Sequence, residues 1–354
     1  MTSIVITGAH GFIGTNIVER FLTLSPQEFG YSTKNVPSFS NFGEGYEIGF
    51  NIITSDLEST LTRFQARRFL GSSRVRFAPY HDLPKYLRTL KEPPKFIIHN
   101  GACSSTTETN PEIFKDQNLN SSIELWKYAC EFQIPFLYAS SASVYGDGLQ
   151  GFSDDKKAMA KFKPMNLYAQ SKHDFDQYAL ASDKKPPAWV GLRYFNVYGP
   201  YESHKAGQAS MVYHGYHQAV QTQKIRLFKS FDPNYKDGEQ LRDFIFADDI
   251  VDVTEKICKK IAMNDFRIED QGLFLNLGVG TPRSWNDLAL SIFKSLDLKP
   301  SIEYFDMPES LRKQYQNYTC ADLTNFQKLK LDHKFVELED GVYTYITRYL
   351  SRGL

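Results

Sequence analysis

Short apolar runs alternate with longer amphipathic ones along the first two hundred residues. Ser3–Thr7 is an unbroken apolar run ending in glycines, the pattern of a strand buried on both faces. Phe12–Leu24 follows, with Ile13, Ile17, Phe21 and Leu24 at helical spacing. Phe96–His99, Phe136–Ser140 and Trp189–Arg193 repeat the strand pattern, and Pro111–Glu131 and Tyr168–Ala181 the helical one. This alternation predicts βαβ units and so an α/β fold with a doubly wound parallel sheet. Ser25–Glu47 is rich in Ser, Gly, Pro, Asn and aromatic residues and has no period; it reads as a long loop or small insertion before a second strand near Ile48–Thr54. Beyond Asn196 aromatic and polar residues crowd together. The strands there are short: Ile225–Phe228, Leu273–Leu277 and Ile302–Phe305. The division expected is a first domain over 1–195 and a smaller mixed α/β domain over 196–354. Gln240–Val253, within a return segment near 240–258, is expected to rejoin the first sheet.

Composition narrows the class. The chain has 354 residues, 42% of them hydrophobic, enough for two domains with sizeable cores. Its 41 basic and 41 acidic residues cancel, which argues against nucleic-acid or membrane partners bound through a basic field. Cys103, Cys130, Cys258 and Cys320 are far apart and read as free thiols of a reducing compartment. With no apolar run of about 18 residues and no positive leader, a cytoplasmic protein is expected. His214 and His217 lie three apart, but no third ligand has recognisable spacing, so no metal is expected.

Two motifs carry chemistry. In TGAHGFIG, Gly8, Gly11 and Gly14 sit three apart after a strand and open a helix. Such a loop approaches a pyrophosphate closely and offers it the amides and dipole of the helix start, as in a Rossmann-type dinucleotide site. Asp56 is the candidate for the ribose 2′-hydroxyl, although it lies 42 residues after Gly14 rather than about 20. Lys34, Arg63, Arg67 and Arg68 could instead meet a 2′-phosphate, so NAD and NADP both stay open. The second motif joins Ser141, in the strand-end run ASSASVYG, to Tyr168 and Lys172 of a YxxxK. On a helix, i and i+4 share a face. The ammonium should then lower the phenol pKa, letting Tyr168 exchange a proton with a substrate alcohol beside Ser141.

Further segments extend the picture: NGACSSTTE at Asn100–Glu108, LRYFNVYGPYESHKAGQASM at Leu192–Met211, RLFKSFDPNYKDGEQLRDFIFADDIVDV at Arg226–Val253, and FNLGVGTPRSWNDLA. With these the chain resembles the extended short-chain dehydrogenases that act on nucleotide sugars, and among them the ADP-L-glycero-D-manno-heptose 6-epimerases. The likeness runs from Lys95 to Leu354 and is weak between Ser25 and Pro94. It implies an isomerase that inverts carbon 6 of an ADP-heptose for lipopolysaccharide core synthesis, through transient hydride transfer to bound NADP or NAD, in a homo-oligomer. It also implies roles for residues matched in register. Lys205 would be the second acid/base group, opposite Tyr168. Phe12, Ile13, Asn100, Gly101, Ala102, Cys103, Ser104, Gln117 or Asn118, Lys172 and Val197 would contact the dinucleotide. Asn196, His214, Phe228, Lys229, Ser230, Phe231, Arg242 and Tyr315 would hold the ADP-sugar, Arg242 by its bidentate fork on the pyrophosphate. A family serine just after the lysine falls on Gly207, with Ser210 nearby.

Other readings are a different nucleotide-sugar epimerase or dehydratase, or a non-catalytic dinucleotide sensor. Ser141-Ala-Ser143 lacks the Asp-Glu pair a dehydratase needs, and a sensor has no need to keep Ser141, Tyr168 and Lys172 together.

Overall fold

Seven runs rich in Val, Ile, Leu and Phe pair into one parallel sheet. They are β1 (Ser3–Thr7), β2 (Asn51–Asp56), β3 (Val75–Pro79), β4 (Ile97–His99), β5 (Phe136–Ser141), β6 (Trp189–Tyr194) and β7 (Gly272–Leu277). The structure is a computed structural model that describes residues 2–31, 49–312 and 315–353. The strand order is β7-β6-β5-β4-β1-β2-β3, with Val5 of β1 opposite Ile53 of β2 and Ile97 of β4. The chain winds outward first on one side of β1 and then on the other. The carboxyl ends of β1 and β4 therefore flank the crevice where open α/β sheets bind ligands.

The main helices are α1 (Phe12–Thr23), α2 (Ser121–Glu131), α3 (Leu167–Ala181), α4 (Met211–Thr222), α5 (Ala247–Ala262), α6 (Trp285–Ser295) and α7 (Leu338–Arg348). Ile17, Val18 and Phe21 of α1 and Ile250, Val253 and Ile257 of α5 bury one face of the sheet. Leu125 and Trp126 of α2 and Phe175 and Ala179 of α3 cover the other, where Trp126 meets Phe136, Phe175 and Trp189 edge-on. A third core unites α4, α6 and α7 with the strands Ile225–Phe228 and Ile302–Phe305, which pair in parallel.

Several expectations are corrected. Leu273–Leu277 is not a strand of the smaller part: Gly272–Leu277 is the edge strand of the main sheet, paired along all of β6. All six of its residues are buried, and a Cβ on Gly272 would lie 2.3 Å from the Trp189 indole, so glycine makes room for that ring. Gln240–Val253 does return to this sheet, as a helix rather than a strand: Ile250 and Val253 of α5 lie in its core. Leu241–Arg242 pairs with Arg283–Ser284 and Phe244–Phe246 with Asn196–Tyr198, while α5 packs on α1. The second strand is Asn51–Asp56, running past the expected end at Thr54, while Ile48 lies outside the described residues with most of the Ser25–Glu47 insertion. Pro111–Glu131 is helical throughout, but Lys115–Asn120 within it is a π-helical stretch, a feature often found at functional sites.

Candidate active site

The turn from β1 into α1 is shaped by glycine. Gly8 has φ +62°, and a Cβ there would lie 2.7 Å from the Asn100 backbone; at Gly14 it would lie 2.0 Å from the Gly8 carbonyl. Gly11 donates its N–H to that same carbonyl at 3.0 Å. As N-cap, Gly11 brings no side chain to the amides that open α1, and Phe12 and Ile13 are the first two helical residues. The segment after β4 faces this turn. Gly101 N–H donates to Thr7 Oγ1 at 2.9 Å. Asn118, on the π-helical stretch, accepts from Cys103 N–H at 2.7 Å and donates to the Cys103 carbonyl and to Ser171 Oγ at 2.9 Å each, holding the loop against α3. Asn100 accepts from the Tyr194 hydroxyl at 2.9 Å, but its buried Nδ2 has no partner. Ser104 is exposed.

A cleft of about 720 Å³ opens here, lined by Gly8, Asp56, Gly101, Ala102 and Gln117 among others. The Asp56 carboxylate ends β2, accepts from His10 N–H at 3.0 Å and Leu57 N–H at 2.8 Å, and is pushed up in pKa by burial. Arg63 donates to the His10 carbonyl at 2.9 Å. Arg68 is engaged elsewhere, with Glu19 and the Tyr201 hydroxyl at 2.9 Å each. Lys34 and the Arg67 side chain lie outside the described residues. The glycine cradle, the uncapped helix start and the orphaned Asn100 amide together fit a dinucleotide.

The second element stands at the ends of β5 and α3. Asn166 caps α3 by accepting from Ala169 N–H at 2.8 Å, which sets Tyr168 and Lys172 one turn apart at the start of the helix. Ser141 sits beside the Tyr168 hydroxyl and draws its pKa down. Ser143 donates to Ser141 Oγ through its own Oγ at 2.9 Å and its N–H at 3.2 Å. Lys172, four residues on, is buried on the same helix. Its Nζ donates to the Ala139 carbonyl at 2.9 Å, and burial lowers its pKa to about 8. The Tyr168 phenol is raised by burial and drawn back only by Ser141.

The remaining residues come from the second half of the chain. Lys205 lies in the turn Ser203–Gln208 with Nζ 5.4 Å from the centre of the Phe12 ring, at the start of α1. Arg242 is 5% exposed and, among the described residues, pairs with no carboxylate. It donates to the Leu241 carbonyl at 2.9 Å and lies 4.7 Å from the Tyr315 ring centre and 5.6 Å from that of Trp285. Burial presses its pKa down, the situation of a cation awaiting an anion. Asn196 accepts from Thr319 Oγ1 at 3.4 Å, Val197 is half-buried beside it, and His214 on α4 keeps a buried Nε2 without a partner. Phe231 meets Tyr315 edge-on at 6.1 Å, whereas Phe228 packs on Phe305, Lys229 pairs with Asp306 at 3.3 Å and Ser230 is turned into its own loop. A second cleft, of about 710 Å³, is lined by Ser143, Gly146, Asn166 and Tyr315 among others, the last being the ring on which Arg242 lies.

The model of the NAD dependent epimerase/dehydratase family matches residues 4–268. The chain belongs to this family. It is similar to the ADP-L-glycero-D-manno-heptose-6-epimerase of Nitratidesulfovibrio vulgaris strain Hildenborough, 41% identical over 255 residues that cover 72% of this chain and 76% of the relative. The enzyme of the same name from Pseudomonas aeruginosa is 32% identical over 99% of both chains. The crystal structure of the Helicobacter pylori ADP-L-glycero-D-manno-heptose-6-epimerase superposes with a TM-score of 0.72 at 28% identity, covering 98% of this chain and 96% of that one.

Gly207 is exposed, with open space where a Cβ would stand. Ser210 Oγ donates to Glu202 at 2.5 Å and accepts from Tyr213 N–H at 3.3 Å as the cap of α4, so its hydroxyl is committed to the fold. Sequence reasoning missed Glu202 and the buried pair Asp176–Arg193. Asp176 carries a signal that could have found it, being four residues past Lys172 on the same buried helix face. Among the described residues no three His, Cys, Asp or Glu side chains gather as a metal site, and no helix is long and apolar enough to cross a membrane.

Proposed function

We propose that this chain inverts carbon 6 of the heptose in ADP-D-glycero-D-manno-heptose to give the L-glycero epimer, a step toward lipopolysaccharide core. One observation supports the reading: a cleft lined by Ser143 and Asn166, neighbours of Ser141 and Tyr168 in the chain, also reaches Tyr315, whose ring lies 4.7 Å from the buried Arg242 guanidinium. The relatives that match it along the whole chain supply the sugar.

Carbon 6 has no neighbouring carbonyl, so its hydrogen leaves with the bonding pair rather than as a proton. The dinucleotide that the Gly8–Gly14 loop would hold would supply that chemistry, as a reversible hydride acceptor. Ser141 orients the alcohol and Tyr168 takes its proton; Lys205 does the same from the other side, since inversion needs a group on each face. Gly8, Gly11, Gly14, Phe12, Ile13, Asn100–Ser104, Asn118, Lys172 and Val197 hold the dinucleotide. Arg242 and Tyr315 hold the pyrophosphate, with Asn196, His214 and Phe228–Phe231 around the sugar. NADP is the dinucleotide this reading assigns, with Arg63 turning from the His10 carbonyl to the 2′-phosphate; NAD is the alternative, with Asp56 on the 2′-hydroxyl. The sheet through residue 195, completed by 247–277, serves the dinucleotide and the rest of the chain the sugar. The enzyme works in the cytoplasm as a homo-oligomer.

The test is to release and weigh the bound dinucleotide, then incubate the protein with ADP-D-glycero-D-manno-heptose and no added cofactor. Conversion to the L epimer with no solvent deuterium at carbon 6 is expected. Unchanged sugar with folded, dinucleotide-loaded protein overturns the reading.

A further inference from the structure

We propose that Glu202 is the positioning residue for Lys205, closing the loop that carries the second acid/base group and fixing it between the two halves of the molecule. This rests on the reading of Lys205 given above. The loop leaves the strand Asn196–Tyr198 and ends at the cap of α4. Two non-glycine residues in it have positive φ, Tyr201 at +72° and Ala206 at +48°, one just before Glu202 and one just after Lys205. Such strain persists only where the surroundings over-determine the backbone.

The Glu202 carboxylate supplies that constraint. It is fully buried, accepts from Ser210 N–H at 2.6 Å and Ser210 Oγ at 2.5 Å, and lies close enough to Tyr345 of α7 for each to shift the other's pKa. The far end of the loop is thus tied back to its beginning, while Lys205 N–H donates to the Glu202 carbonyl at 2.9 Å. The near end is pegged to α1: Asn16 donates to the Pro200 carbonyl at 3.1 Å and the Tyr201 hydroxyl to Glu19 at 2.9 Å. Lys205 therefore has a fixed backbone, yet its Nζ donates to no acceptor among the described residues and only overlooks the Phe12 ring. Burial depresses the pKa of this ammonium and the Glu202 carboxylate opposes the shift, a second link between the two residues.

The test compares Glu202→Gln, Lys205→Met and the double variant in dinucleotide-loaded protein. Glu202→Gln is expected to lower kcat by roughly 10–100-fold with little change in KM, the scale set by small misplacements of a catalytic group. In the Lys205→Met background it should cause no further loss, because a residue acting through Lys205 has nothing left to position. An unchanged kcat in Glu202→Gln, or the same fold-loss repeated on top of Lys205→Met, overturns the proposal. If Glu202→Gln does not fold, Ser210→Ala replaces it, opening the clasp from the other end, with the same criteria. A fully active Lys205→Met removes the base reading itself, and this inference with it, whatever the Glu202 variant does.

Discussion

Asp176 Oδ2 and Arg193 Nη2 meet at 3.0 Å with neither side chain exposed to solvent. Asp176 lies on α3, one turn past Lys172, and Arg193 on β6. The same carboxylate accepts from Tyr138 and Ser140 of β5 at 3.0 Å each, so it locks the Tyr168 helix onto the strand that ends in Ser141. Removing one partner strands a buried charge. Arg193→Met is expected to cost about 3–5 kcal/mol of stability, the range for breaking buried pairs. Urea unfolding monitored by circular dichroism checks it; a loss under about 1 kcal/mol would show that water reaches Asp176.

Tyr168→Phe removes the hydroxyl that Ser141 holds and keeps the ring. We expect kcat to fall by roughly 10²–10⁴-fold, the usual worth of a general acid/base, while Asn100, Asn118 and Lys172 still retain the dinucleotide. Turnover and bound-dinucleotide content, measured on the same preparation, separate the two effects. Loss of dinucleotide in step with activity contradicts the assignment.

Asp154 gives a pH dependence. It is buried, accepts from Asn276 N–H at 3.1 Å, and is raised by burial to about 7. Its folded value exceeds its unfolded one, so between about 4 and about 7 the folded state binds more protons than the unfolded. The stability this group contributes is complete at the acid end of that window and is lost as pH rises through it. Asp154→Asn should flatten that slope, visible as a wild-type-minus-variant difference in urea midpoint that declines with pH. A pH-independent difference would place Asp154 in water.

Arg242→Lys keeps the charge and loses the planar fork stacked near Tyr315 and Trp285. KM for the nucleotide sugar should rise roughly tenfold, with a smaller effect on kcat. Calorimetry with ADP alone provides the same comparison without turnover. Equal ADP affinity in both proteins would move the pyrophosphate elsewhere.

The parts legible in the sequence are those written locally. The Gly8–Gly14 loop, the Ser141 strand end and the YxxxK helix each signal through neighbours a few residues away, and the structure puts the first two at the carboxyl ends of β1 and β5, with only β4 between them. Three features were not legible for a shared reason. β7 reads as an ordinary short apolar run, and only pairing with β6 reveals that it belongs to the first sheet. The aim of Lys172 depends on the Ala139 carbonyl, which no spacing rule places. Glu202 sits beside Lys205 in a polar stretch, and its burial follows from α7, whose Tyr345 lies far along the chain. Non-local packing decided each of these.

Because β7 comes from residues 272–277, the outer edge of β6 stays bare until most of the polypeptide has been made. A ribosome-bound nascent chain that has emerged only as far as residue 195 would present Trp189–Tyr194 as an open, apolar strand edge, an invitation to pair with other chains. Residues 1–195 are thus not a portable module, and fragments cut there should aggregate unless 272–277 is supplied in trans.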